Sequence, residues 1–122
     1  MMERGMESHQ MSPQMQQCID DCQECHSICL ITANHCLEMG GKHAEAGHIR
    51  LLLDCAEICQ TSANFMLRDS QLHGLTCGTC AEVCLRCAAD CERFPDDEQM
   101  MACAEVCRRC AASCREMARM AA

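Results

Sequence analysis

The chain has no tryptophan, no tyrosine and only two phenylalanines. Aromatic packing therefore holds little of it together, and the metal-free protein should be nearly transparent in the near ultraviolet. Valine occurs twice, so strands have almost nothing to build on. Leu, Ile, Val and Phe together number 18 of 122 residues, below the fraction of about 20% under which chains are usually disordered. Positive charge is scarce as well: one Lys and nine Arg face 18 acids, for a net charge of −8. That balance excludes the basic footprint of a nucleic-acid binder. No apolar run approaches the roughly 18 residues of a membrane span. No nucleophile–base pair, Gly-rich phosphate loop or acid pair stands out, so no catalysis is expected. Met1–Gln17 carries no apolar h-region, cleavage site or twin arginine, which leads to the expectation of a cytoplasmic protein.

What the chain has instead is sulfur. Sixteen Cys, 15 Ala and 11 Met supply most of the 49% hydrophobic content. Either the chain is unfolded, or cysteine itself fills the core. In an oxidising space such a composition would mean a disulfide scaffold; in a reducing cytoplasm it points to metal binding or thiol chemistry.

Breakers are few, namely Pro13, Gly40-Gly41, Gly47, Gly74, Gly78 and Pro95. The stretches between them are rich in Ala, Glu, Gln, Met and Arg, all good helix formers. Four helices are predicted. The first starts at Ser12 as N-cap with Pro13 at the first helical position, and ends near Met39 before the glycine pair. The second runs from about Ala44 to Arg68. The third begins after Ser70 as N-cap and ends near Arg93. The fourth starts at Asp96 or Asp97, where Asp96 and Gln99 have capping-box spacing, and runs to about Met120. Short connections make neighbours antiparallel. The fold class is all-α, an antiparallel up-down four-helix bundle with a cysteine-lined core. It forms one domain over residues 1–122, with 1–11 flexible.

The cysteines fall into stripes. Helix 1 carries Cys18, Cys22, Cys25, Cys29 and Cys36; helix 2 carries Cys55 and Cys59. Helix 3 carries Cys77, Cys80, Cys84, Cys87 and Cys91, and helix 4 carries Cys103, Cys107, Cys110 and Cys114. Steps of three and four, with one of seven, describe one inward face per helix. Extended, the stripes take in Met11, Met15, Thr32 and Met39 on helix 1, and His48, Leu52, Ser62 and Met66 on helix 2. Helix 3 adds His73, and helix 4 adds Met100 and Met117. Asp20, Asp21, Gln23, Glu24, Glu105, Arg108 and Arg109 suit an outer face. His9, His26 and His35 lie off the stripes and are expected in solvent.

Packing alone would select Leu and Ile, which fill a bundle better; thiols on four facing stripes point to metal. Thiolate is soft and selects Cu(I), Zn or iron–sulfur clusters. Charge separates these. Sixteen buried thiolates need compensation. Roughly one Cu(I) per bridging thiolate leaves the core neutral, whereas zinc with unshared ligands takes four thiolates per ion and neutralises half. Zinc is disfavoured, not excluded. The ferredoxin run C-x2-C-x2-C-x3-C-P is missing. Redox chemistry needs an accessible low-pKa cysteine, and these pairs lie mid-helix. The ligand candidates are the sixteen cysteines with His48 and Met100. The end that gathers His43, His48 and Met100 is the expected mouth; Met15, Met66, His73 and Met117 gather at the other.

The C-x3-C-x2-C-x3-C segments of helices 1 and 4, with CGTCAEVCLRCAADC, HIRLLLDCAEIC and ACAEVCRRCAASCREMA, resemble the bacterial copper storage proteins, in particular their cytosolic branch. The resemblance spans about Met15 to Met120. It implies a four-helix bundle filled with Cu(I)–thiolate sites, a homotetramer, and storage of copper for supply or safe-keeping, with a copper chaperone as a possible partner. Two departures stand out. FPDDEQMM occupies the connection that is histidine-rich in some members, and His48 and Met100 stand where a further cysteine can occur.

Overall fold

The computed structural model describes residues 11–121; residues 1–10 of the segment 1–11 expected to be flexible, His9 among them, lie outside. Four helices follow in order: α1 (Pro13–Met39), α2 (Ala46–Leu67), α3 (His73–Cys91) and α4 (Glu98–Ala121), with a 3₁₀ turn at Gly41–Ala44. Each helix packs on its two sequence neighbours and α4 closes back on α1, so α1 and α3 stand on one diagonal, α2 and α4 on the other. This is the antiparallel up-down bundle expected from the sequence, and among the described residues there is no strand.

The ends are set by local chemistry. Ser12 Oγ accepts the Met15 N–H at 3.1 Å and Pro13 opens α1. Gly40 stops it with φ 72° and Gly41 follows at φ 57°, a left-handed pair that only glycine enters without cost. At the end of α2, Asp69 takes φ 54°. The Ser70 N–H reaches the Phe65 carbonyl at 2.9 Å and the Asp69 N–H the Met66 carbonyl at 3.0 Å, a Schellman closure. α3 starts later than the serine suggested. Ser70 Oγ bonds the Leu72 N–H at 3.0 Å within a turn, and helix begins at His73. α4 is capped by Asp97, whose Oδ1 accepts the Gln99 and Met100 N–H groups at 2.9 and 3.2 Å. The capping box read from Asp96 and Gln99 does not form. Gln99 instead sends its amide to Thr32 Oγ1 at 3.0 Å on α1.

All sixteen cysteines are buried, as are Thr32, Leu52, Ser62, Met66, Met100 and Met117. A second set of small residues flanks them. Ala56, Ala81, Ala88, Ala104 and Ala111 each follow a stripe cysteine and are buried. With a methyl group as the only spacer, facing backbones approach closely enough for short thiols to meet. Two assignments change. Met39 is exposed, because α1 ends there. Asp21 is buried and accepts the Gln17 amide at 3.0 Å, so it does not belong to the outer face. Exposed ion pairs such as Arg109–Glu24 at 2.8 Å add little stability.

Asp97 serves as the N-cap of α4. Asp97→Ala is expected to cost about 1 kcal/mol, with Asp97→Asn retaining most of the cap, measured by urea denaturation of the metal-free chain.

Candidate metal centre

Four helical stripes that point at one axis bring their sulfurs into contact. Adjacent helices meet at Cys22–Cys114 (3.4 Å), Cys18–Cys114 (3.5 Å), Cys59–Cys80 (3.6 Å) and Cys25–Cys107 (3.7 Å). The diagonals close as well: Cys25 reaches Cys84 at 3.9 Å and Cys59 reaches Cys110 at 3.9 Å. Two sulfurs bonded to one ion at about 2.3 Å lie roughly 3.8–4.0 Å apart in tetrahedral or trigonal geometry. The sulfur lattice therefore already has the spacing of a metal–thiolate array.

The thiols fall into overlapping sets whose sulfurs all lie within 4.8 Å of one another. Cys22, Cys80, Cys110 and Cys114 form one set, and Cys25, Cys55, Cys59 and Cys84 another. Cys25, Cys29, Cys55 and Cys107 form a third, Cys59, Cys80, Cys84 and Cys110 a fourth, and Cys18, Cys77 and Cys114 a trio. Sharing is the important property, because Cys25, Cys55, Cys59, Cys80, Cys84 and Cys110 each belong to two of these quartets. Cys87 and Cys91 are buried on the same face of α3. Hydrogen bonding with Cys103 and Cys87, then burial, pushes the Cys91 thiol up. Cys29 is likewise raised by Cys103, Cys107 and its other sulfur neighbours. Protons are thus retained by part of the network, each serving a neighbouring sulfur.

The two ends differ. At one, Cys36 Sγ lies 3.3 Å from His48 Nε2 and 3.4 Å from Met100 Sδ, so the structure joins the three residues that were singled out on separate helices. His48 Nδ1 meets Asp90 Oδ2 at 2.5 Å. The carboxylate fixes the proton on Nδ1 and leaves the Nε2 lone pair facing the sulfur, as a metal-binding imidazole requires. Asp90 in turn accepts from Arg93 Nε at 2.8 Å. Sequence reasoning missed Asp90; no local motif pairs it with a histidine on another helix. His43 and His35 both bond Asp97, at 2.9 and 2.8 Å, so His35 is not a freely solvated side chain. Neither is His26, whose Nδ1 donates to the Ala56 carbonyl at 2.8 Å. At the opposite end Cys77 touches Ser62 Oγ at 3.3 Å and Met66 Sδ at 3.7 Å. Met117 is buried there, and Met11 and Met15 pack against the core. His73 spends its Nδ1 on the Ser70 carbonyl at 2.9 Å.

Known proteins share this fold. A crystal structure of a Nitrosospira multiformis protein superposes with TM-score 0.83 at 52% identity, over 88% of this chain and 96% of that one. The Cu(I)-bound copper storage protein BsCsp3 of Bacillus subtilis gives TM-score 0.81 at 35% identity, over 86% and 98%. A cytosolic copper storage protein from Streptomyces lividans, solved with five coppers, gives 0.80 at 30% identity, over 87% and 92%. The family model described as "Copper storage protein" matches residues 11–119. With cysteine stripes, sulfur lattice and bundle in agreement, this chain belongs to the copper storage protein family.

Proposed function

We propose that the chain binds and stores many Cu(I) ions through the thiolates lining its core, and that it acts as a single domain without catalysis. The observation that carries this reading is the overlap of the thiol quartets. A sulfur that serves two sites bridges two ions, and bridging brings the ratio toward one monovalent cation per thiolate. That ratio neutralises a core in which uncompensated charge is very costly. The sixteen cysteines are the proposed ligands, with His48 Nε2 and Met100 Sδ completing the set around Cys36. The Cu(I) bound by BsCsp3 and the coppers in the Streptomyces lividans protein support the choice of ion. Zinc is the competing cargo, since each quartet taken singly offers four sulfurs to a tetrahedral ion. Sharing counts against it, because no more than two of these four quartets can be filled at once without reusing a cysteine.

The cellular setting follows the same relatives. A cytosolic family member supports a cytoplasmic location, and among the described residues no helix is long and apolar enough to cross a membrane. Exposed Leu30, Ile31, Leu37 and Leu53 on α1 and α2 support association with further copies, as the homotetramer of the resemblance requires. A copper chaperone is a fitting partner for a store whose thiols are all buried. The His48–Met100 end is the proposed mouth. There the donors change from thiolate to the weaker imidazole and thioether, so an ion can pass in steps.

Anaerobic titration of the reduced chain with Cu(I) against a chromophoric chelator is expected to saturate at roughly one copper per thiolate. Near-ultraviolet absorption should grow in step with it. Saturation at four divalent ions with weak copper uptake would establish zinc instead.

Proton linkage gives an independent check. Burial first, then the charges of Asp97, Cys103, Asp90 and Cys87, push the Cys36 thiol up from 9.0 to about 11. The folded chain thus holds this proton more tightly than the unfolded chain does. The associated stability is complete below pH 9 and is lost as pH rises toward about 11. Urea denaturation of the metal-free chain is expected to show that decline. Copper displaces the proton, so the loaded chain should lack this component of the slope.

A further inference from the structure

Outside the sulfur channel, a second donor set converges at the mouth. His35 from α1, His43 from the 3₁₀ turn and Asp97 from the start of α4 belong to three separate elements. Both imidazole Nε2 atoms rest on the same oxygen, Asp97 Oδ2, at 2.8 and 2.9 Å. The two rings meet edge to face, with centroids 5.9 Å apart. The side chains are 30, 17 and 15% exposed, so solvent ions reach them although they are largely sheltered. Asp97 is held in place from its other side, where Oδ1 caps α4. Burial works against its ionisation. Hydrogen bonds from His35, the Met100 N–H and His43 prevail, and the carboxyl is held down at about 2. Phe94 packs 4.2 Å from the His43 ring and 5.4 Å from His48, an apolar wall between this cluster and the His48–Cys36–Met100 group.

Capping α4 needs only Oδ1, so the cap does not explain two imidazoles on Oδ2. Two imidazoles and a carboxylate form a set for borderline and harder divalent ions, not for Cu(I), which the neighbouring thiols would draw away. Nitrogen and oxygen ligands at about 2.0–2.2 Å from one ion lie roughly 2.9–3.5 Å apart. The two N···O separations here, 2.8 and 2.9 Å, lie close to that range. We propose that His35, His43 and Asp97 form a divalent-cation site of the zinc class, separate from the thiolate channel, which ties α1, the 3₁₀ turn and α4 together across its mouth. The proposal goes beyond copper storage and stands on these three side chains.

The test uses Co²⁺ as the probe, because ligand type is visible in its spectrum. The chain is first loaded anaerobically with Cu(I), so that the thiols are occupied, and is then titrated with Co²⁺. The expected result is one Co²⁺ per chain with weak visible bands and no sulfur-to-cobalt charge transfer. Affinity should fall about tenfold or more in His35→Ala, in His43→Ala and in Asp97→Asn, which keeps the helix cap. No Co²⁺ uptake, uptake unchanged in both histidine variants, or charge-transfer absorption from the added ion would each overturn the site. Failure of the first step would count against copper storage alone. The same titration of the metal-free chain would then decide the site, by whether a sulfur-free cobalt spectrum is present in the parent and lost in His35→Ala.

Discussion

Sulfur atoms from four helices held within contact distance cannot all lose their protons unless positive charge comes in to replace them. Burial of each thiol and repulsion among neighbouring thiolates both oppose ionisation, and the metal-free network answers by keeping protons between its sulfurs. A monovalent soft cation replaces each proton with no change in net charge and forms two strong bonds where the proton formed one. The rest of the molecule follows from this constraint. The channel must be dry, the sulfurs must lie close enough to share ions, and the walls must contribute no competing charge. The buried Ala56, Ala81, Ala88, Ala104 and Ala111 meet the last two requirements together.

The same arrangement leaves the metal-free bundle poor in conventional stabilisation. Ile19 and Leu52 are the large aliphatic side chains that are fully buried; most of the remaining core is thiol, methyl and thioether. Such small groups bury little apolar area apiece, and hydrophobic stabilisation scales with that area. Helix termini therefore matter more than in a leucine-rich bundle. The closures at Ser12, Gly40, Asp69 and Asp97 fix helix lengths and so keep four stripes in register. Metal completes the core, since an ion that binds the folded state alone stabilises it by mass action.

The two ends of the channel differ in their donors. Met66, Met117 and Met15 fill one end with flexible thioethers, which pack irregular space well. The other end is graded from solvent inward. His35, His43 and Asp97 come first, then the Phe94 ring, then His48 with its Asp90 support beside Met100 and Cys36. The donors become softer with depth, so the inner ones favour cuprous ions more strongly. Asp90 touches no sulfur; its contact with Nδ1 would make the proposed ligand His48 a better donor than a free imidazole.

Much of this was legible in the amino-acid order, for a physical reason. Helical periodicity is local, so steps of three and four place every cysteine, with His48, Leu52, Ser62, Met66, Met100 and Met117, on the inward face. Caps built from adjacent residues, such as Ser12-Pro13 and Gly40-Gly41, were equally readable. Competition for the same group was not. Asp97, not Asp96, takes the cap of α4, and the Gln99 amide goes to Thr32 on another helix. Asp21 was placed outside because polarity alone says nothing of the neighbour that covers it.

Composition and spacing by themselves determined that this protein is a helical bundle with its thiols turned inward, because both follow from the 3.6-residue turn of one chain segment at a time. Tertiary structure alone decided which sulfurs share a site, that Asp90 orients His48, and that two imidazoles from different elements meet on one oxygen of Asp97. Those are contacts between residues distant in sequence, and their distances depend on how the helices dock, which no local pattern encodes.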